Sequence, residues 1–160
     1  MGRSRAAARA AGSSIHIEVA GHPTPQGSKR AFVQHGRAMM TESSGDRLRS
    51  WRQDVKAAAI AVRPSTPFDT AVAVRITFRF PRPKSHFRTG ANAHLLRESA
   101  PPYPTNRATG DIEKLVRSTH DALTAAGVWT DDSLVAFLSA GKRYVADGLA
   151  GASIQIEEKA

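Results

Sequence analysis

The stretch Asp111 to Asp132, DIEKLVRSTHDALTAAGVWTDD, constrains the fold of this chain more than any other. At 100° per residue, Ile112, Leu115, Val116, Thr119, Ala122, Leu123 and Ala126 fall on one side of a helix. Glu113, Arg117 and Asp121 form an i, i+4, i+8 row on the opposite side, with Lys114 and Ser118 beside it. Gly110 precedes the helix, and Gly127 follows it where a left-handed C-cap is usual. The spacing therefore predicts a helix with one packed face and one charged face. Asp111 sits at its first turn, and Asp131-Asp132 arrives just after the turn that ends it.

The remaining chain must supply what that packed face packs against. A length of 160 residues favours one domain with a real core, and 41% hydrophobic with 23% charged residues is ordinary for a soluble globular protein. The order of patterns sets the class. Residues 1–14, rich in Ala, Arg, Gly and Ser, read as a mobile basic tail ahead of a domain spanning 15–160. Ile15, Ile17 and Val19 alternate with polar residues as in a strand. The loop GHPTPQGSKR follows, delivering Lys29 and Arg30, and a short strand over 31–34 turns at His35-Gly36. Ser43, Ser44 and Asp46 offer caps for a helix over 48–62 with Trp51 as core anchor and Arg49, Arg52 and Lys56 outward. Val72, Val74, Ile76, Phe78 and Phe80 give the clearest strand.

Residues 82–109 show no sustained periodicity, and a connection this long is usually functional or mobile. Beyond the central helix, Val128-Trp129 and 134–138 read as a strand that Lys142, Arg143 and Tyr144 extend. Asp147-Gly148 reads as a turn, and 153–157 as a closing strand that pairs back as a hairpin. This order is neither βαβα repetition nor all-β. It predicts an α+β fold, a single domain with a mixed sheet backed by two main helices.

Composition narrows function. A formal net charge of +9 suggests a polyanionic partner, either nucleic acid or an anionic membrane surface. At 6% aromatic, the chain is not a first choice for a base-stacking single-strand binder. The absence of cysteine excludes disulfides, thiolate nucleophiles and Cys-based zinc sites. No apolar run approaches the roughly 20 residues that span a bilayer, and no secretory signal is evident, so an intracellular, cytoplasmic protein is expected.

Within this basic chain, Asp111, Glu113, Asp121, Asp131 and Asp132 are concentrated in one segment. For Glu113 and Asp121 alone, i, i+4 pairing with Arg117 is account enough. Asp131-Asp132 is different: two adjacent acids at the mouth of a strand point to opposite faces, and the inward one needs a compensating cation. Oxygen ligands without His or Cys favour a hard ion, Mg²⁺ or Mn²⁺. Such a centre activates water and stabilises both oxygens of a phosphodiester displacement. Asp111, Glu113 and Asp132 are the candidate ligands, and Arg117 is placed to stabilise charge on the transferring phosphate.

The same segment resembles the signature of RusA-type Holliday junction resolvases, small dimeric metal-dependent endonucleases. The residues carrying the resemblance are Asp111, Glu113, Lys114, Leu115, Arg117, Asp121-Ala122-Leu123, Gly127-Val128, Asp131-Asp132-Ser133 and Val135, with GHPTPQGSKR as a weaker second match. The resemblance implies that Asp111, Glu113 and Asp132 are metal ligands and that Arg117 is needed for cleavage. It makes Asp121 a supporting acid that orients Arg117, with Asp131 beside it. It further implies a homodimer nicking branched DNA symmetrically in recombination and repair, in a phage-like setting, with Lys114, Lys142, Arg143 and the Lys29-Arg30 loop gripping phosphates. Two departures stand out. Glu113 replaces the usual second aspartate, and Arg117 stands where lysine is common, changing a point charge to a planar fork. Three rivals remain open at this level: a non-catalytic basic DNA-binding protein, another Mg²⁺-dependent nuclease acting on flaps or RNA, and a structural interaction module with a salt-bridged helix, which requires Asp131-Asp132 to be exposed and distant from Asp111.

Overall fold

Hydrophobic alternation in one ten-residue strand organises the observed architecture. The computed structural model describes residues 12–27, 29–42, 45–145 and 149–159, with backbone alone at 29–32 and 40–42. The basic tail at residues 1–11, the candidate caps Ser43 and Ser44 and the turn at Asp147-Gly148 therefore lie outside the described residues. Six strands and two helices follow in order: β1 Ser14–Ala20, β2 Lys29–Gln34, β3 Arg37–Glu42, α1 Gly45–Val62, β4 Val72–Pro81, α2 Ile112–Ala125, β5 Val135–Val145 and β6 Gly151–Glu158. Short 3₁₀ turns punctuate the segment before α2 and the start of β5.

β4 buries Val72, Val74, Ile76, Phe78 and Phe80 on one face, each at 2% exposure or less. At about 1.5–3 kcal/mol per fully buried large side chain, this strand alone accounts for much of the apolar driving force. The sheet order is β1-β6-β4-β5. β6 runs antiparallel to both β1 and β4, whereas β5 runs parallel to β4. The mixed sheet of the expected α+β fold is thus present, and its parallel pair requires a crossover, which α2 provides. α1 and α2 cover the buried face of the sheet, where Trp51, Val55 and Ala59 meet Leu115, Thr119 and Leu123. Trp51 donates its indole N–H to Thr119 Oγ1 at 3.3 Å, linking the helices inside the core.

Several local expectations are corrected. β2 and β3 form a hairpin of their own, with His35 and Gly36 both at positive φ (51° and 75°), the conformation a two-residue type I′ turn requires. Lys29 and Arg30 therefore lie on a strand rather than in a loop, and their side chains lie outside the described ones. β6 does not pair back onto β5: β4 lies between them, because a buried strand rich in Val, Ile and Phe takes the centre of the sheet. Val128-Trp129 is not part of β5; Trp129 makes an isolated bridge to Phe68. Ser118, expected beside the charged row, is fully buried and donates to the carbonyls of Thr24 (2.7 Å) and Leu115 (3.0 Å).

Candidate active site

α2 begins and ends as its sequence dictates. At the C-terminus, Gly127 at φ 71° donates to Thr124 O (3.0 Å) and Val128 to Leu123 O (3.2 Å), the double bond of a Schellman ending. At the N-terminus, Gly110 adopts φ 74°, and a Cβ there would come within 2.6 Å of Pro25. The Pro-rich stretch after β1, expected as a loop delivering Lys29 and Arg30, thus packs against the start of α2, and Gln26 N–H donates to Lys114 O (2.9 Å). From the other side, Lys142 on β5 donates its ammonium to Gly110 O at 2.9 Å. Asp111 is thereby held between a proline wall and a strand, although its own carboxylate makes no cap hydrogen bond.

Between α2 and β5 lies a cavity of about 470 Å³. Its polar lining is Glu113, Arg117, His120, Asp121 and Asp132, with Ile112, Val116, Leu138 and Ala140 as apolar walls. The structure therefore brings Glu113, Arg117, Asp121 and Asp132 to one space, with Asp111 outside that lining. Asp111 is 74% exposed and forms an ion pair of 3.6 Å with Lys114. Asp121 does not pair with Arg117. Its partner is Arg52 of α1 at 2.8 Å, so an arginine expected to face outward forms an interhelical bridge. Arg117 is exposed, lines the groove and has no ion pair among the described residues.

The Asp131-Asp132 pair also differs from expectation. Neither residue is buried; Asp131 caps a 3₁₀ turn over Asp132–Leu134 and accepts from Ser133 N–H at 2.8 Å. Hydrogen bonding from Ser133, side chain and then backbone, lowers the Asp131 pKa. No inward carboxylate calls for a cation here, because the turn replaces the strand-like alternation.

One residue lining the groove was missed in the sequence. His120 is packed edge-on against Trp129 at 5.4 Å, and its buried Nε2 has no hydrogen-bond partner among the described residues. Burial lowers its pKa, opposed by the nearby charges of Asp132 and Asp121. The signal was available: His120 lies three residues after Arg117 and seven after Glu113, on the same helical stripe.

Among the described residues, no group of three or more His, Cys, Asp or Glu side chains is arranged to hold a metal ion. The reason is geometric. Glu113 and Asp132 line one cavity, whereas Asp111, the N-cap residue ahead of α2, lies outside that lining. Oxygens sharing one Mg²⁺ stand only about 3–4 Å apart. The oxygen-only donor set suits a hard divalent ion, and the cavity brings two of the three candidate ligands, Glu113 and Asp132, to one space.

A two-layer α+β domain with a carboxylate- and arginine-lined groove beside its central crossover helix, in a chain of net charge +9, has the make-up of a phosphodiester-acting protein. The endodeoxyribonuclease RusA family model matches residues 20–157, most of the chain and all of the groove. The chain belongs to the RusA endodeoxyribonuclease family, whose members are Holliday junction resolvases acting on branched DNA. No curated protein sequence matches the chain significantly. Among the described residues, no helix is long and apolar enough to cross a membrane.

Proposed function

We propose that this protein resolves four-way DNA junctions by paired symmetric nicks, with a divalent ion, Mg²⁺ or Mn²⁺, held by Asp111, Glu113 and Asp132. The observation that carries the reading is the groove shared by Glu113, Arg117 and Asp132 in a chain of this family. When bound, the ion supplies Lewis-acid stabilisation of the charge that builds on a phosphodiester. Arg117 contributes its unpaired guanidinium to the same charge, reaching two oxygens at once as a fork. Lys114 and Arg143, both exposed, bind phosphates beside it, with Lys29 and Arg30 on the hairpin as further contacts. Lys142 has a double role, since its ammonium also holds Gly110 O next to Asp111. Asp121 and Asp131 are supporting acids, the first through Arg52 and the second through its turn.

Asp111 stands outside the lining that Glu113 and Asp132 share, and a second copy of the chain on the same side would have a chemical purpose. β5 is an edge strand, residues 135–141 carry no charge, and Phe137 and Leu138 are 64% and 50% exposed. A long apolar edge of this kind is a template for another strand. The charges flanking it are self-complementary: Asp132 precedes the midpoint of Phe137-Leu138 by as many positions as Arg143 follows it. Antiparallel pairing of two copies about that midpoint brings the turn carrying Asp132 of each copy to the end of β5 that carries Arg143 of the other. That position neighbours Lys142, which touches the residue before Asp111. A two-fold arrangement also suits two cuts on a pseudo-symmetric substrate.

Cleavage of a synthetic four-way junction beside a linear duplex, with and without Mg²⁺, tests the reading. Symmetric nicks in the junction only, and only with the ion, are expected. Equal attack on flaps or RNA would assign the groove to a different nuclease substrate, and binding without any cutting would leave a basic binding protein.

A further inference from the structure

The segment between β4 and α2 is ordered by a device that leaves its charge intact. Residues 82–109 contain Arg82, Lys84, Arg88, Arg97 and Arg107 against a single acid, Glu98. In the structure Arg88 N–H donates to Leu95 O (2.8 Å) and Arg97 N–H to His86 O (2.9 Å), flanking a bridge between Phe87 and Leu96. Their side chains tighten the same hairpin: Arg88 Nε donates to Leu96 O (3.3 Å) and Arg97 Nε to Phe87 O (2.8 Å). Arg82 donates to Pro101 O (2.9 Å) and lies 4.4 Å from the centre of the Tyr144 ring.

All these partners are neutral. Among the described residues, no carboxylate forms an ion pair with any of the five cations. A guanidinium bound through its Nε–H to a carbonyl keeps four further N–H groups and its whole charge. The arginines thus fix the backbone while still offering donors to solvent, so phosphate binding need not first order the segment. Its position is fixed too. Tyr144 near the end of β5 meets Arg82, His86 (5.3 Å, edge-on) and Asn106, and Thr109-Gly110 leads straight into Asp111.

We propose that residues 82–109 form a rigid shelf that grips the phosphate backbone of a DNA duplex arm leaving the groove, with Lys84, Arg88, Arg97 and Arg107 as its contacts. This rests on the junction-cutting reading and adds which part of the chain holds the arm. Sequence-independent phosphate binding of this sort makes affinity fall with salt. Lys84 and Arg107 are exposed and make no side-chain hydrogen bond among the described residues, so they can be changed without unpicking the hairpin.

The test measures binding of the full chain to a fluorescent four-way junction in Ca²⁺ without Mg²⁺, across a range of salt. Lys84→Gln with Arg107→Gln should raise the dissociation constant about tenfold and make the salt dependence shallower by roughly 0.9 for each phosphate that is no longer neutralised. Lys84→Arg with Arg107→Lys should bind as the unaltered protein does. Both variants should melt where the unaltered protein melts. An unchanged constant and slope in the neutralised variant, or equal loss in the charge-conserving one, overturns the shelf. So does a duplex RNA, or a vesicle of anionic lipid, that binds as tightly and depends on the same two residues. Failure of the unaltered protein to bind any junction removes the junction reading itself, an outcome separate from normal binding with indifferent variants.

Discussion

On its core side α2 presents Leu115, Ser118, Thr119 and Leu123, all fully buried, and both hydroxyls there are hydrogen-bonded. On its groove side it presents Glu113, Arg117 and Asp121 exposed, and His120 with a buried nitrogen that has no partner among the described residues. The first side is complete within one chain; the second contains charges arranged around an empty space. One helix can carry both because packing stability is drawn from one stripe only, leaving the other free for a substrate. Substitutions on the two sides should therefore separate stability from activity.

The sharpest separation is expected at Asp132. Asp132→Asn should lower junction cleavage by about a thousandfold, equivalent to roughly 4 kcal/mol of barrier. Junction binding should be kept or tightened, since a negative charge near DNA is removed. The melting temperature should stay within a degree or two, because the side chain is exposed at a turn. Cleavage rates under single-turnover conditions and a thermal melt on one preparation decide this; lost folding would make Asp132 a residue that holds the fold instead.

The opposite profile is expected on the core side. Leu115→Ala should cost about 2–5 kcal/mol of unfolding free energy, because Leu115 is fully buried between sheet and helices. Ser118→Ala should cost about 1–3 kcal/mol by leaving Thr24 O without its buried donor. Denaturant titrations measure both, and cleavage per folded molecule should change far less for either than for Asp132→Asn.

The same contrast explains what the sequence disclosed. The packed stripe of α2 and the alternation in β4 are periodic signals enforced by burial, and both are read directly from residue order. The groove is periodic only along α2, and its remaining contacts are not. Asp131-Asp132 misleads because a side-chain hydrogen bond to Ser133 N–H converts a strand mouth into a 3₁₀ turn, which alternation does not encode. Arg52 reaches Asp121 across 69 positions, and nothing local marks that pairing. β3 escapes notice because its described side chains, Arg37, Ala38 and Met39, are exposed, so burial imposes no pattern on them. His120 sits among charged residues and reads as surface, although Trp129 and β5 partly cover it. The carboxylates are legible as a set, but that Glu113 and Asp132 share a lining without Asp111 becomes clear only from the fold.

His120 offers a pH-dependent test of the groove side. Its folded pKa lies below the ordinary 6.5 because burial disfavours the charged ring. The unfolded chain therefore binds a proton at higher pH than the folded one. The associated stability is fully present above about pH 6.5 and is lost as pH falls through the folded value. Melting temperatures measured from pH 7.5 downward should fall less steeply for His120→Gln than for the unaltered protein. Parallel slopes would remove the buried neutral ring from the description of the groove.

The smallest effect is expected where groove and core sides meet. Asp121 pairs with Arg52 at 2.8 Å, but the two side chains are 45% and 32% exposed, so water and salt screen the attraction. Asp121→Asn should cost only about 0.2–1 kcal/mol, and less as salt is raised. The effect on cleavage should also be modest, because the carboxylate is held by α1 and leaves Arg117 free. A double-mutant cycle with Arg52→Gln isolates the pair energy. If Asp121→Asn instead matched Asp132→Asn in lost cleavage while keeping its stability, Asp121 would be a reacting group, and the bridge to Arg52 a secondary use of its charge.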